Sequence, residues 1–377
     1  MVAMTNTTET PVSASGKPEA GLRIEQRGAS VVVTLDRASK HNAINSSMKA
    51  ALATQIPVIA RNPQVYAVVI RAAPGGMFSA GGDIREYYDL AREGHMHAAE
   101  ECAREYALIW LLDCFSKPTA ALINGAVMGT GAGIVQCATH KAAGAGYRFQ
   151  MPETAIGFFP DNGVCWMLAR LPHEIGTYLG VTGAALTRAD AFKLGIVTHC
   201  IDASHFDAIA DGLAEAEPID PLLDSHHVDP GAASIMDVAE VVARCFSAGS
   251  VREIVSRLEA ETVQRPWCEK TLAALAERSP LAMEVTLQHI RRCRYLDLRQ
   301  TLVVDYRLAV RLVGGHDFLE GVRARLIDKT GAPRWLPHTL LDLDPAAVKR
   351  AFDPLIGGAD GGELVLPTRQ EMQAARV

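Results

Sequence analysis

Two acids and a run of glycines offer this chain its chemistry. Glu153 and Asp161 stand eight residues apart in YRFQMPETAIGFFPD, a segment otherwise apolar and rich in turns. A carboxylate in apolar surroundings loses hydration, its pKa rises, and it becomes suited to proton transfer near neutral pH. Just upstream, INGAVMGTGAG places Gly125, Gly129, Gly131 and Gly133 around Met128 and Thr130. Glycine lets a backbone approach a ligand closely because no Cβ intervenes. A helix beginning at Gly131 would leave its first amides unpaired and partially positive. Such a corner can hold negative charge that exists only in a transition state.

The elements around these residues repeat a pattern. Val65 to Ile70 reads as a buried strand, followed by the loop Ala73–Asp83 with Gly81 and Gly82, then the helical IREYYDLAR, for which Asp83 is placed as an N-cap. Thr119 to Ile123 is a second buried strand, and it leads into the second glycine loop. Strand, glycine loop and helix thus occur twice, and two such loops can each aim one N–H at a single oxygen. Between them a helix from His97 to Cys114 carries Glu105. Upstream, Ile24 to Leu35 reads as a hairpin about Gly28, and Ala43 to Arg61 as a helix that Pro57 can kink. Downstream, helices are expected at Val164–Leu171, Ile175–Val181 and Thr187–Leu194, with a strand at Val197–Ile201. A Glu-, Asp- and Pro-containing linkage (Glu215–Pro230) precedes a helix-rich remainder, and the stretch after Pro345 carries no readable pattern. The expected organisation is a disordered tail over 1–20, an α/β core over 21–205, a helical C-terminal region over 206–343 and a tail over 344–377.

Composition narrows the function classes. The chain has 377 residues and a formal charge of −6, with no basic run, which argues against a nucleic-acid surface. No apolar stretch approaches the ~20 residues of a membrane helix. Eight scattered cysteines form neither a CxxC nor a Cys/His metal spacing, which reads as reduced thiols in a cytoplasmic protein. The first 20 residues hold two Glu and no Arg and lack an apolar core, so they fit a signal or transit peptide poorly.

MFSAGGDI, NGAVMGTGAG, MPETAIGFFPD, LGIVTHCID and GHDFLEGVRARLIDKTGAPRW, in this order, resemble the crotonase (enoyl-CoA hydratase/isomerase) superfamily and, within it, the 3-hydroxyisobutyryl-CoA hydrolases. The resemblance runs from about Leu22 to Leu343. It implies an α/β fold, a crotonase-like spiral of ββα turns with a helical C-terminal region. It implies an acyl-CoA substrate whose thioester oxygen is polarised by the amides of Gly82 and Thr130, beside Gly81 and Gly129. The family's carboxylates fall on Glu153 and Asp161, and its substrate-side acid on Glu105. Arg37, Lys40, His41, Ala43 and Lys329 match positions that approach CoA. No metal or redox cofactor is implied, CoA being part of the substrate; a homo-oligomer is compatible with the superfamily.

The same resemblance separates activities. Hydratases of the superfamily use two glutamates; one matches Glu153, the other falls on Gly133. That favours hydrolysis of a short 3-hydroxyacyl-CoA, such as 3-hydroxyisobutyryl-CoA in valine catabolism, over hydration or isomerisation. Glu153 would attack the thioester or activate water, and Asp161 would bind the 3-hydroxyl and relay the proton. A third reading is a non-catalytic acyl-CoA binding protein. The family's usual Gly-Gly-Gly is here Gly129-Thr130-Gly131, and a β-branched residue there is expected to strain the loop and narrow the pocket.

Overall fold

A computed structural model describes residues 21–357 and 361–377. The expected tail over 1–20 lies outside them. β1 (Leu22–Arg27) and β2 (Ser30–Leu35) form the hairpin about Gly28, followed by α1 (Ser46–Arg61), β3 (Ala67–Ala72), α2 (Ile84–Glu93), α3 (His95–Asp113), β4 (Thr119–Ile123), β5 (Ala126–Met128) and α4 (Gly129–Gln136). Then come β6 (His140–Ala143), β7 (Arg148–Gln150), α5 (Val164–Leu168), α6 (Ile175–Thr182), β8 (Leu186–Thr187), α7 (Arg188–Lys193) and β9 (His199–Cys200). The remainder is helical: α8 (Phe206–Ala214), α9 (Ile219–Ser225), α10 (Ala239–Phe246), α11 (Val251–Ala260), α12 (Arg265–Ala276), α13 (Pro280–Cys293), α14 (Leu298–Leu312), α15 (His316–Val322), α16 (Pro345–Ala351) and α17 (Arg369–Ala374).

The strands make a six-stranded sheet ordered β1-β2-β3-β4-β6-β9 and a three-stranded sheet ordered β5-β7-β8. In the larger sheet the β1–β2 pair is antiparallel and the other pairs are parallel. β2, β3 and β4 are nearly unbroken apolar runs because parallel strands are covered on both faces. Alternation then sorts their side chains. Val31, Val33, Val68 and Ile70 join the main core, while Val32, Val69, Ala120 and Leu122 meet Ile209, Leu213, Ile219 and Leu223 of α8 and α9.

Two expectations change. The linkage over Glu215–Pro230 contains α9, whose Pro221 falls in the first turn, where the missing N–H costs nothing. The C-terminal stretch folds back as α16 and α17 and buries Val348, Leu366 and Met372. It grips α3: Trp110 Nε1 donates to Pro367 O at 2.8 Å, and Arg369 pairs with Asp113. Its apolar residues are too sparse, among Pro and Gly, to show a period, so only docking reveals them. Pro57 sits inside an uninterrupted α1.

Candidate active site

The two glycine loops are stitched together edge to edge. Ser79 N–H donates to Ala126 O at 3.0 Å and Met128 N–H to Ser79 O at 3.1 Å, a parallel bridge between the loop after β3 and strand β5. A second bridge joins Ile44 to Gly82 through Ile44 N–H to Gly81 O at 2.8 Å and Asp83 N–H to Ile44 O at 3.0 Å. In this pattern the flanking residues make the bonds, so the N–H of Gly82 itself faces away from Ile44. Gly81 N–H is taken by Ser79 Oγ at 3.2 Å. The amides of Gly82 and Thr130 find no hydrogen-bond acceptor among the described residues.

Close approach explains the glycines. A Cβ on Gly81 would lie 3.2 Å from Gly129 Cα and from Met128 O, and Gly81 holds φ +93°. A Cβ on Gly129 (φ +45°) would lie 3.3 Å from Gly81 Cα and 3.4 Å from Glu153 Oε1. The Glu153 carboxylate therefore sits at the junction of the two loops. α4 begins at Gly129 rather than Gly131, which puts Thr130 in the helix's first turn, where amides lack intrahelical partners. Gly129 takes the left-handed conformation; Thr130 does not, so the strain expected of a β-branched residue is absent. Its side chain does not project as an obstruction either: Thr130 Oγ1 donates to Glu105 Oε1 at 2.7 Å.

Glu153 and Asp161 are both 8 % exposed, yet differ in company. Glu153 opens a short 3-10 turn, Glu153–Ile156, and its Oε2 is buried without a partner. Burial pushes its pKa up to about 8, with a backbone hydrogen bond acting against the rise. Asp161 Oδ2 accepts from Tyr106 Oη at 2.8 Å and Oδ1 from Asn162 Nδ2 at 2.8 Å. Burial, then the nearby charges of Glu105, Glu153 and Asp305, hold it well above the usual carboxylate range, against the Tyr106 bond. The C-terminal helices hold this wall in place. A Cβ on Gly157 would fall 2.3 Å from the Asp317 backbone, and one on Gly321 2.6 Å from that of Ile156, so α15 lies directly on the Glu153 turn. Asp305 on α14 accepts the Gly163 N–H at 2.7 Å and is ion-paired with His289 at 2.5 Å. Burial works against protonation of His289, but the neighbouring Cys293 and Asp305 raise its pKa to about 10.

Gly133, where a second acid would stand, has no room for one. A Cβ there would lie 2.7 Å from Asn162 Cβ and 3.1 Å from Ile109 Cδ1. Glu105 is 2 % exposed, and its carboxylate is taken by protein groups: Thr130, the Tyr87 hydroxyl, and Lys49 Nζ at 3.0 Å. Sequence reasoning misses Lys49, Tyr87 and Tyr106. A Lys on a helix face gives no local sign that it is buried.

The expected CoA positions gather less tightly. Arg37 Nη1 pairs with Asp83 at 2.7 Å and donates to Ala43 O at 3.1 Å, while Ala43 N–H donates to Lys40 O at 3.0 Å. Asp83 is thus a partner for Arg37 and makes no side-chain cap on α2. Lys40 and His41 are exposed, His41 in the left-handed region. Lys329 is exposed, three residues beyond Leu326, whose carbonyl accepts from Arg85 Nη2 at 3.2 Å. Two surface cavities, one lined by Arg292, Leu341 and Val348 and one by Phe192, Pro230 and Met236, include none of these site residues in their walls.

Comparison with known proteins places this geometry in context. The family model described as enoyl-CoA hydratase/isomerase matches residues 30–352. A Gallus gallus protein named "3-hydroxyisobutyryl-CoA hydrolase, mitochondrial" is 34% identical over 346 residues, 89% of each chain. An Arabidopsis thaliana protein named "3-hydroxyisobutyryl-CoA hydrolase 1" is 32% identical over 93% of this chain and 95% of its own. The solved structure of a carnitinyl-CoA dehydratase from Mycobacterium thermoresistibile superposes with a TM-score of 0.86 at 28% identity, covering 92% of this chain and 99% of that one. The mitochondrial name of the chicken relative overturns the cytoplasmic expectation. That expectation rested on free thiols, which any reducing compartment allows. All eight cysteines are free, and among the described residues no helix is long and apolar enough to cross a membrane. The chain belongs to the enoyl-CoA hydratase/isomerase family.

Proposed function

We propose that the protein hydrolyses a short 3-hydroxyacyl-CoA thioester, with 3-hydroxyisobutyryl-CoA as the favoured substrate, to the free acid and CoA. One observation carries this reading: Glu153 is a buried, half-unpaired carboxylate at the junction of two glycine loops, while Asn162 fills the place of a second acid at Gly133. Water addition across a double bond by paired glutamates has one of its two groups missing. The names of the curated relatives support the hydrolase over the hydratase reading.

In this mechanism the thioester oxygen lies against the N–H groups of Gly82 and Thr130. Each donor stabilises the tetrahedral oxyanion by about 3 kcal/mol. Glu153, once ionised, supplies the oxygen nucleophile, by attacking the carbonyl to give an anhydride or by taking a proton from water. Asp161, held by Tyr106 and Asn162, receives the substrate's 3-hydroxyl. On the anhydride route CoA leaves as the thiolate and water then cleaves the anhydride to the free acid and Glu153; on the other route the proton that Glu153 takes from water passes by way of Asp161 to the leaving thiolate. Lys40, His41 and Lys329 meet the CoA phosphates at the rim, and Arg37 shapes that rim through Asp83. CoA enters as part of the substrate, and the chain's own groups do the chemistry.

Thiol release from a panel of short 3-hydroxyacyl-CoAs tests the reading. A loss of about 10²- to 10⁴-fold in turnover is expected for Glu153→Gln; loss of 2-enoyl-CoA absorbance without thiol release would instead establish a hydratase. Binding of CoA with no turnover on either panel would make the protein a non-catalytic binder. A single turnover in ¹⁸O-water separates the two roles of Glu153, because only the anhydride route can leave label in its carboxylate.

A further inference from the structure

Behind the glycine loops lies a closed polar network that the proposed mechanism does not use. Lys49, on α1, is 2 % exposed and directs its ammonium to three acceptors: Glu101 at 2.6 Å, the Tyr87 hydroxyl at 2.8 Å and Glu105 Oε2 at 3.0 Å. The contacts to Tyr87 and Glu105 are hydrogen bonds, and the one to Glu101 is an ion pair. Burial works against the charge of Lys49, but Glu105 and Glu101 outweigh it and hold the pKa above the ordinary lysine value. Glu105 in turn accepts from Lys49, Tyr87 and the Thr130 hydroxyl. Four helices, α1 to α4, converge on one carboxylate.

This network touches both amide donors from behind. Thr130 belongs to it directly. A Cβ on Gly82 would lie 3.0 Å from Thr130 Oγ1, 3.2 Å from the Tyr87 ring and 3.8 Å from Glu105 Oε2. The residues presenting the two free N–H groups therefore rest on the same carboxylate and its partners. A buried carboxylate without a cation would be forced to take up a proton or move toward water. Either change would release the Thr130 hydroxyl and the first turn of α4.

We infer that Lys49 is a positioning residue for the thioester site: it holds Glu105 as the anchor of the Thr130 hydroxyl, and so sets the two amides against the thioester oxygen. This inference rests on the hydrolase reading. It also accounts for a side chain where the family usually has glycine: Thr130 gives the loop a tether, and Lys49 makes that tether possible.

A double-mutant cycle tests it. Thr130→Val keeps the shape and loses the donor, and kcat is expected to fall on the order of tenfold to a hundredfold with KM little altered. Thr130→Ser, which keeps the donor, is expected to recover most of that loss. Lys49→Met should lower kcat similarly on its own and add little in the Thr130→Val background. Additive losses, or a serine variant no better than valine, would overturn the inference. If Lys49→Met does not fold, Tyr87→Phe removes a neutral partner of the same carboxylate and takes its place in the cycle. Hydrogen exchange of the segment 129–136 gives a readout free of turnover, expected to quicken in Lys49→Met. Wild type that releases no thiol defeats the hydrolase reading, and the exchange measurement then decides the tether alone. Wild-type turnover with additive costs defeats only the tether.

Discussion

Glu105 and Glu153 are both buried carboxylates beside the same two loops, and they have opposite surroundings. Glu105 is met by an ammonium, a phenol and a hydroxyl. Glu153 has one oxygen with no partner among the described residues. Its charge is penalised by burial, which is why its pKa climbs to about 8. The difference teaches how one pocket assigns two roles to one residue type. A carboxylate surrounded by donors stays put and holds other groups; one left unsatisfied is available to react.

That contrast can be broken from either side. The largest expected effect is Glu153→Gln, which should lower kcat by about 10²- to 10⁴-fold while the protein stays folded, as judged by circular dichroism. A variant that kept its turnover would remove Glu153 from the chemistry. Glu105→Gln is expected to cost about 3 kcal/mol in denaturant unfolding, because Lys49 is left with one carboxylate instead of two; unaltered stability would mean that the network holds nothing. Gly133→Ala overpacks the Asn162 contact and should cost about 1–3 kcal/mol, with recovery in the Asn162→Gly background.

The smallest effects are those of pH. Since Glu153 must lose its proton to act, kcat/KM is expected to rise with pH through a limb near 8. Stability moves the opposite way. The unfolded chain ionises this residue near 4.5, the folded one only near 8, so the folded state holds the extra proton in between. Stability declines as pH rises across that window. Thermal unfolding of wild type and Glu153→Gln should therefore diverge toward alkaline pH, the variant gaining; a constant gap would contradict the burial of an uncompensated carboxylate.

Part of the site is legible in the sequence alone. The strand–glycine loop–helix repeat is local, because extended apolar runs, turn glycines and helix starts leave their marks within a few residues. Gly81 and Gly82 in one loop and Gly129 and Thr130 in the other stand out in that way, as do Glu153 and Asp161. α4 starts two residues earlier than its spacing suggests, since Gly129 rather than Thr130 takes the left-handed conformation and the helix begins there. The network under the loops leaves no such mark. Lys49, Tyr87 and Glu105 come from three helices, and each looks like an ordinary member of its own.

By itself the sequence determined which backbone could approach an oxygen closely, which acids lay in apolar surroundings, and to which family the chain is similar. All of these follow from residue type and short-range spacing. Only the tertiary structure decided that Glu105 is paired and Glu153 is not, that Asn162 occupies the space at Gly133, and that the last residues strap α3. Those outcomes depend on which groups share a buried volume after the chain has closed on itself. A charge's partner is set by that closure, because desolvation and pairing act over a few ångströms in space regardless of separation along the chain.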